Sequence, residues 1–83
     1  MTQPAADFAD QLHAQGYRLT PQRQMILEAV RQADDHITPE EVYKAVHRRN
    51  PAVSRATIYR TLDFLCEMRL IHALYWGGQM YYE

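Results

Sequence analysis

The residues of this sequence best suited to chemistry lie between positions 54 and 60, in the run Ser54-Arg55-Ala56-Thr57-Ile58-Tyr59-Arg60. Ile58, Leu62 and Leu65 follow one another at i, i+4 and i+7, the spacing of an apolar stripe along one side of a helix. At about 100° per residue from Ile58, Ala56 and Arg60 point nearly opposite that stripe. Tyr59 and Asp63 stand beside them, and Arg55 lies at the helix start. The first two turns therefore present Arg55, Ala56, Tyr59 and Arg60, with Thr57 on the flank and Ser54 able to cap. Such a set suits the major groove of duplex DNA. Arginine donates to guanine edges or to phosphate, tyrosine donates to phosphate or packs on a thymine methyl, and alanine permits close approach. Further along the same face come Asp63 and Glu67, which phosphates repel, so only the N-terminal half of the helix is expected to enter a groove. The plainer alternative is a solvated helix face that carries arginines, with Tyr59 merely packed.

The net charge of −1 does not mark the whole chain as a nucleic-acid binder, but its distribution is uneven. Residues 44–60 hold Lys44, Arg48, Arg49, Arg55 and Arg60 and no acid, whereas acids outnumber bases on both sides. A local positive field on one element is what a phosphate backbone requires. Arg48 and Arg49, just before Asn50-Pro51, are placed to contact the backbone, which positions a protein without specifying sequence. Arg18 is free to reach an adjacent minor groove, where narrow A·T-rich stretches attract arginine. Arg23, near the start of the following helix, completes the candidate DNA-contact set.

The other reactive groups compose no catalytic site. On residue type and position alone, His36 reads as a surface histidine flanking a helix and Glu83 as an ordinary terminal charge. His13 and His47 read as solvated, His72 as an alternating strand residue, and the single Cys66 as a half-buried small hydrophobe. There is no nucleophile–base pair at a recognisable spacing, no glycine loop to cradle phosphate, and no metal motif that closes within the chain, so no enzyme is expected. One cysteine can form no internal disulfide, and the N-terminus lacks the basic start and apolar stretch of a secretory signal. No apolar run approaches the roughly 20 residues of a membrane span. These features point to the cytoplasm and to no membrane partner.

Eighty-three residues make one small domain, 1–83. Its punctuation is clear. A leading helix over about Pro4 to Gln15 is indicated by Phe8 and Leu12 and stopped by Gly16. Thr20-Pro21 offers an N-cap hydroxyl with proline at the first helical position, and Thr38-Pro39-Glu40-Glu41 repeats the device with a capping box. The helix from Thr20 turns Ile26, Leu27, Val30 and Ala33 to one side; the helix from Thr38 turns Val42, Tyr43 and Val46 inward and ends near Asn50-Pro51. The reading helix runs from about Ser54 to Met68. Ile71 to Trp76 and Gln79 to Glu83 then flank Gly77-Gly78, a β-hairpin with a two-residue turn. The predicted class is α+β, mainly α: a winged helix-turn-helix of about four helices followed by a two-stranded β-hairpin wing.

Several of these segments resemble the ferric uptake regulator family: Gly16-Tyr17-Arg18-Leu19-Thr20-Pro21-Gln22-Arg23 with Ile26-Leu27, then His36-Ile37-Thr38-Pro39-Glu40-Glu41-Val42-Tyr43. The most diagnostic is Ser54-Arg55-Ala56-Thr57-Ile58-Tyr59-Arg60-Thr61-Leu62, followed by Gly77-Gly78 and Tyr81-Tyr82-Glu83. The resemblance covers nearly the whole chain in order. It implies the DNA-binding domain of a dimeric, metal-dependent repressor of metal-uptake or oxidative-stress genes that binds A·T-rich palindromes. It further implies that Tyr59 and Arg60 contact bases and phosphates, that Arg18 enters the minor groove, and that His36 and Glu83 are two ligands of a shared divalent-metal site for iron, zinc or manganese. The family's dimerisation and metal-sensing domain has no counterpart in these residues. The chain alone is therefore expected to be a monomer and to hold no metal tightly, since zinc usually takes four ligands. The competing reading is a winged helix that binds protein rather than specific DNA, because fold does not fix function.

Overall fold

The computed structural model describes residues 19–83; the leading helix expected over about Pro4 to Gln15, and Arg18, lie outside the described residues. Within them the order is α1 (Pro21–Gln32), α2 (Pro39–Arg49), α3 (Arg55–Glu67), β1 (Ala73–Trp76) and β2 (Gln79–Tyr82). Each helix starts where its cap places it. The Thr20 hydroxyl accepts from the Arg23 N–H at 3.2 Å, and the Ser54 hydroxyl accepts from the Thr57 N–H at 3.2 Å. At Thr38 the capping box is complete: its hydroxyl accepts from the Glu41 N–H at 3.2 Å, and the Glu41 carboxylate accepts from the Thr38 N–H at 2.9 Å.

The link from α2 to α3 is the turn of a helix-turn-helix. The Asn50 N–H closes α2 on the Val46 carbonyl at 2.8 Å, and the Asn50 side chain accepts from the Ala52 N–H at 3.3 Å. Val53 is buried in the corner, which fixes the angle at which α3 leaves. All three helices touch one another, and Ile26, Leu27 and Val30 of α1, Val42 and Val46 of α2, and Ile58, Leu62 and Leu65 of α3 form one core. Tyr43, expected inward, is half-buried at the edge of that core, because its ring also supports a charged neighbour described below.

After α3 the chain reverses through Arg69, which sits at φ 61°. The Leu70 N–H donates to the Leu65 carbonyl at 3.0 Å and the Arg69 N–H to the Cys66 carbonyl at 2.9 Å, a Schellman closure. Ile71 then drops into the core, and the hairpin pairs antiparallel with Trp76 opposite Gln79. Gly77 and Gly78 take φ of 62° and 76°, the primed two-residue turn their sequence demanded. β1 begins at Ala73 rather than Ile71; Ile71 is buried in the core, and His72 leads into the ladder through its two backbone bonds with Glu83. The free edge of β2 bonds to the segment before α2: the Ile37 N–H donates to the Tyr82 carbonyl at 2.9 Å, and the Tyr82 N–H to the Ile37 carbonyl at 2.8 Å. With Tyr82 buried, the wing is tied down at its base, and its Gly77-Gly78 tip is exposed.

Candidate nucleic-acid interface

The burial of α3 separates its two faces. Ile58, Leu62 and Leu65 are fully buried, while Arg55, Ala56, Tyr59, Arg60, Asp63 and Glu67 are all exposed on the other side. Tyr59 is 48 % exposed, far more than a packed tyrosine would be. Ala56, Tyr59 and Arg60 thus share one accessible surface at the N-terminal half of α3. Ser54 is occupied as the cap, and Thr57 is half-buried with its hydroxyl 3.1 Å from that of Ser54.

Arg55 behaves differently from its neighbours. Its guanidinium donates to both carboxylate oxygens of Glu40, at 3.0 and 2.8 Å, and lies 4.1 Å from the centre of the Tyr43 ring, which stacks in turn on His47. The bonds from Arg55 hold the Glu40 carboxyl below the usual carboxylate range, and Glu40 in turn raises Arg55. This bidentate pair braces the start of α2 against the start of α3. The expectation of Arg55 as a groove contact did not foresee that brace; a carboxylate fifteen residues earlier carries no sequence signal of its pairing. Arg49 is exposed at the end of α2, with Glu28 of α1 3.7 Å away.

Arg23 is brought beside α3. Its guanidinium lies 3.9 Å over the Phe64 ring, and a cleft of about 460 Å³ opens between the start of α1 and α3. Arg23 and Arg60 line it together with Thr20, Gln22 and Thr57, with Thr61 and Phe64 also in its wall. Gln22 and Thr61 stand inside segments that carry the family resemblance, but their residue types and spacing gave neither of them a role; only the packing of α1 on α3 joins them.

His36 and Glu83 come together by register. Ile37 lies opposite Tyr82, so one step along places His36 opposite Glu83, on the face away from the core. The His36 ring meets Trp76 and Tyr81 edge-on at 5.5 and 4.6 Å, and its Nδ1 is 3.2 Å from an Asp35 carboxylate oxygen. On the other side of Glu83 stands His72, which exchanges both backbone bonds with it, at 2.8 and 3.0 Å. The face therefore offers imidazole and carboxylate donors of the right chemistry for a divalent metal. Among the described residues no three such groups converge closely enough to hold an ion. Cys66 is half-buried, and burial pushes its thiol up, as befits a packing residue. No helix among the described residues is long and apolar enough to cross a membrane.

The sequence profile of the ferric uptake regulator family matches residues 14–83. The chain is 37 % identical over 68 residues to the ferric uptake regulation protein of Bacillus subtilis (strain 168), covering 81 % of this chain and 46 % of that protein. It is 40 % identical over 76 residues to the ferric uptake regulation protein of Synechococcus elongatus, covering 89 % and 52 %. The chain thus spans about half the length of these curated relatives. Its fold superposes on the Helicobacter pylori ferric uptake regulator, a structure described as revealing three functional metal binding sites, with a TM-score of 0.84 at 21 % identity. That superposition covers 95 % of this chain and 53 % of the other, and shows a shared fold. With the helix-turn-helix, the hairpin wing and the profile all in register, the chain belongs to the ferric uptake regulator family.

Proposed function

We propose that this chain is the DNA-reading domain of a metal-dependent transcriptional repressor. One observation carries the reading: the N-terminal half of α3 presents Ala56, Tyr59 and Arg60 to solvent while its opposite side is wholly committed to the core. In this reading Tyr59 and Arg60 contact base edges and phosphates in the major groove, and Ala56 lets the helix approach. Ser54, Thr57 and Arg55 flank the entry, and Arg23 and Arg49 contact the backbone on either side. Arg18, outside the described residues, reaches the minor groove. Asp63 and Glu67 mark where the helix leaves.

The palindromic, A·T-rich target and the homodimer that matches it two-fold are those of the family's full-length form, in which a second domain would supply the dimer contact. His36 and Glu83 would hold part of a divalent-metal site there, the metal supplying a cross-link between this domain and further ligands. This chain alone should sediment as a monomer with limited affinity.

Fluorescence anisotropy with an A·T-rich palindrome and a random duplex, at two salt concentrations, tests the reading. Preference for the palindrome and steep weakening with salt are expected. Equal affinity for both duplexes, or no salt dependence, would overturn it. The competing protein-interaction module finds support in the wing, where Leu74, Tyr75 and Trp76 are exposed. Under that reading Arg60→Ala leaves partner binding intact.

A further inference from the structure

The cleft between the start of α1 and α3 lies next to the base-reading face and shares Arg60 with it. No acidic side chain is among the described residues that line it. Arg23 approaches from α1, steadied on the Phe64 ring. At the start of α1, Pro21 has no N–H and the Arg23 N–H is taken by Thr20, which leaves the Gln22 amide as the first-turn donor at the positive end of a twelve-residue helix. An independent feature sits in the wall. Thr61 is only 7 % exposed, among Ile58 and Leu62, yet no partner engages its hydroxyl among the described residues. No sealed side-chain polar atom there is left unpaired, so that hydroxyl opens onto the cleft. A buried threonine in a cleft between two arginines and a helix start, with no acid among its described lining residues, is the donor set of an anion seat.

We infer that this cleft seats one phosphodiester of the duplex, gripped by Arg23 and the start of α1 on one side and by Arg60 and Thr61 of α3 on the other. The inference rests on the DNA-reading proposal and adds a residue and a role to it. Because the seat spans two helices, it fixes how α3 is set in the groove, independently of the bases read. A free anion is the weaker occupant, since the cleft is continuous with the Tyr59–Arg60 surface and Arg60 serves both.

The test uses anisotropy with this chain, on the palindrome and on random duplex, for wild type, Thr61→Val, Thr61→Ser and Arg23→Gln, with thermal unfolding measured for each. Thr61→Val should weaken both duplexes alike by about three- to tenfold, because phosphate contacts carry no sequence information. Its salt slope should be unchanged, as no charge is lost. Thr61→Ser should restore binding, and Arg23→Gln should lower the slope by about one. Duplexes in which each phosphate in turn is replaced by a neutral methylphosphonate supply the second measurement. One position should weaken wild type yet leave Thr61→Val and Arg23→Gln little changed. Wild-type affinity in a folded Thr61→Val, failure of serine to restore it, or undiminished sensitivity of both variants at every phosphate would overturn the seat alone. If wild type itself binds no duplex, the DNA reading falls and the seat falls with it.

Discussion

At the scale of single residues, Tyr59 and Arg60 are exposed on a helix whose other side is buried, so their substitution separates recognition from folding. Tyr59→Ala and Arg60→Ala should each cost about 1–3 kcal/mol of binding at the preferred duplex. Thermal unfolding should hardly move, because surface changes away from caps and networks usually stay within about 0.5 kcal/mol. Anisotropy and a melting curve on the same samples check both statements, and a large drop in melting temperature would place these side chains in the fold rather than in the groove. Arg55 is the contrasting case. Its bidentate bond to Glu40 and its stack on Tyr43 make it a structural residue in the free chain, so its loss should disturb the joint between α2 and α3 as well as any DNA contact. The residue types and spacing of 54–60 announced which face is exposed; the partner of Arg55 was hidden because Glu40 lies in another helix.

At the scale of elements, caps and turns set where each helix begins and ends. The Thr38–Glu41 capping box has an acid signature. Its hydrogen bonds from the Thr38 backbone and hydroxyl hold the Glu41 carboxyl below its ordinary value of 4.5, and the bonds from Arg55 do the same for Glu40. A carboxyl lowered by folding stabilises the native state above its unfolded pKa, and that contribution disappears as pH falls through the folded value. Melting temperature should therefore decline on the acid side of about 4.5, and the Glu40→Gln, Glu41→Gln double variant should show a shallower decline over the same range. An identical acid limb in the variant would mean that other carboxylates govern it. At the end of α3, Arg69 occupies the left-handed position of a Schellman motif, where a Cβ is disfavoured. Arg69→Gly should stabilise the fold by roughly 0.5–1 kcal/mol, the relief of the strain being partly offset by the greater freedom of glycine in the unfolded chain. Denaturant titration reads this directly; a destabilised variant would show that the Arg69 side chain makes a compensating contact.

At the scale of the whole molecule, three helix stripes, Ile71 and Tyr82 meet in one core, and that core is what holds the exposed face of α3 still. Leu62 is fully buried at the centre of α3, so Leu62→Ala should cost about 2–5 kcal/mol of stability and weaken DNA binding only through unfolding. A binding curve corrected for the folded fraction checks this. Most of the architecture was legible in advance. Thr20-Pro21, Thr38-Pro39-Glu40-Glu41 and Ser54 fixed the helix starts through local hydrogen bonding, and Gly77-Gly78 fixed the hairpin through backbone freedom. The i, i+4, i+7 apolar residues of α3 decided which side it buries, and so which side remains exposed. These are local effects, acting between residues a few positions apart, and a sequence displays them directly. The tertiary structure decided what depends on distant elements packing together. It set Arg55 against Glu40 and Arg23 over Phe64, and it placed Thr61 in the wall of a cleft between α1 and α3. It also set His36 opposite Glu83 by pairing Ile37 with Tyr82. Those juxtapositions follow from burial of the shared core and from a strand register, neither of which any local run of residues specifies.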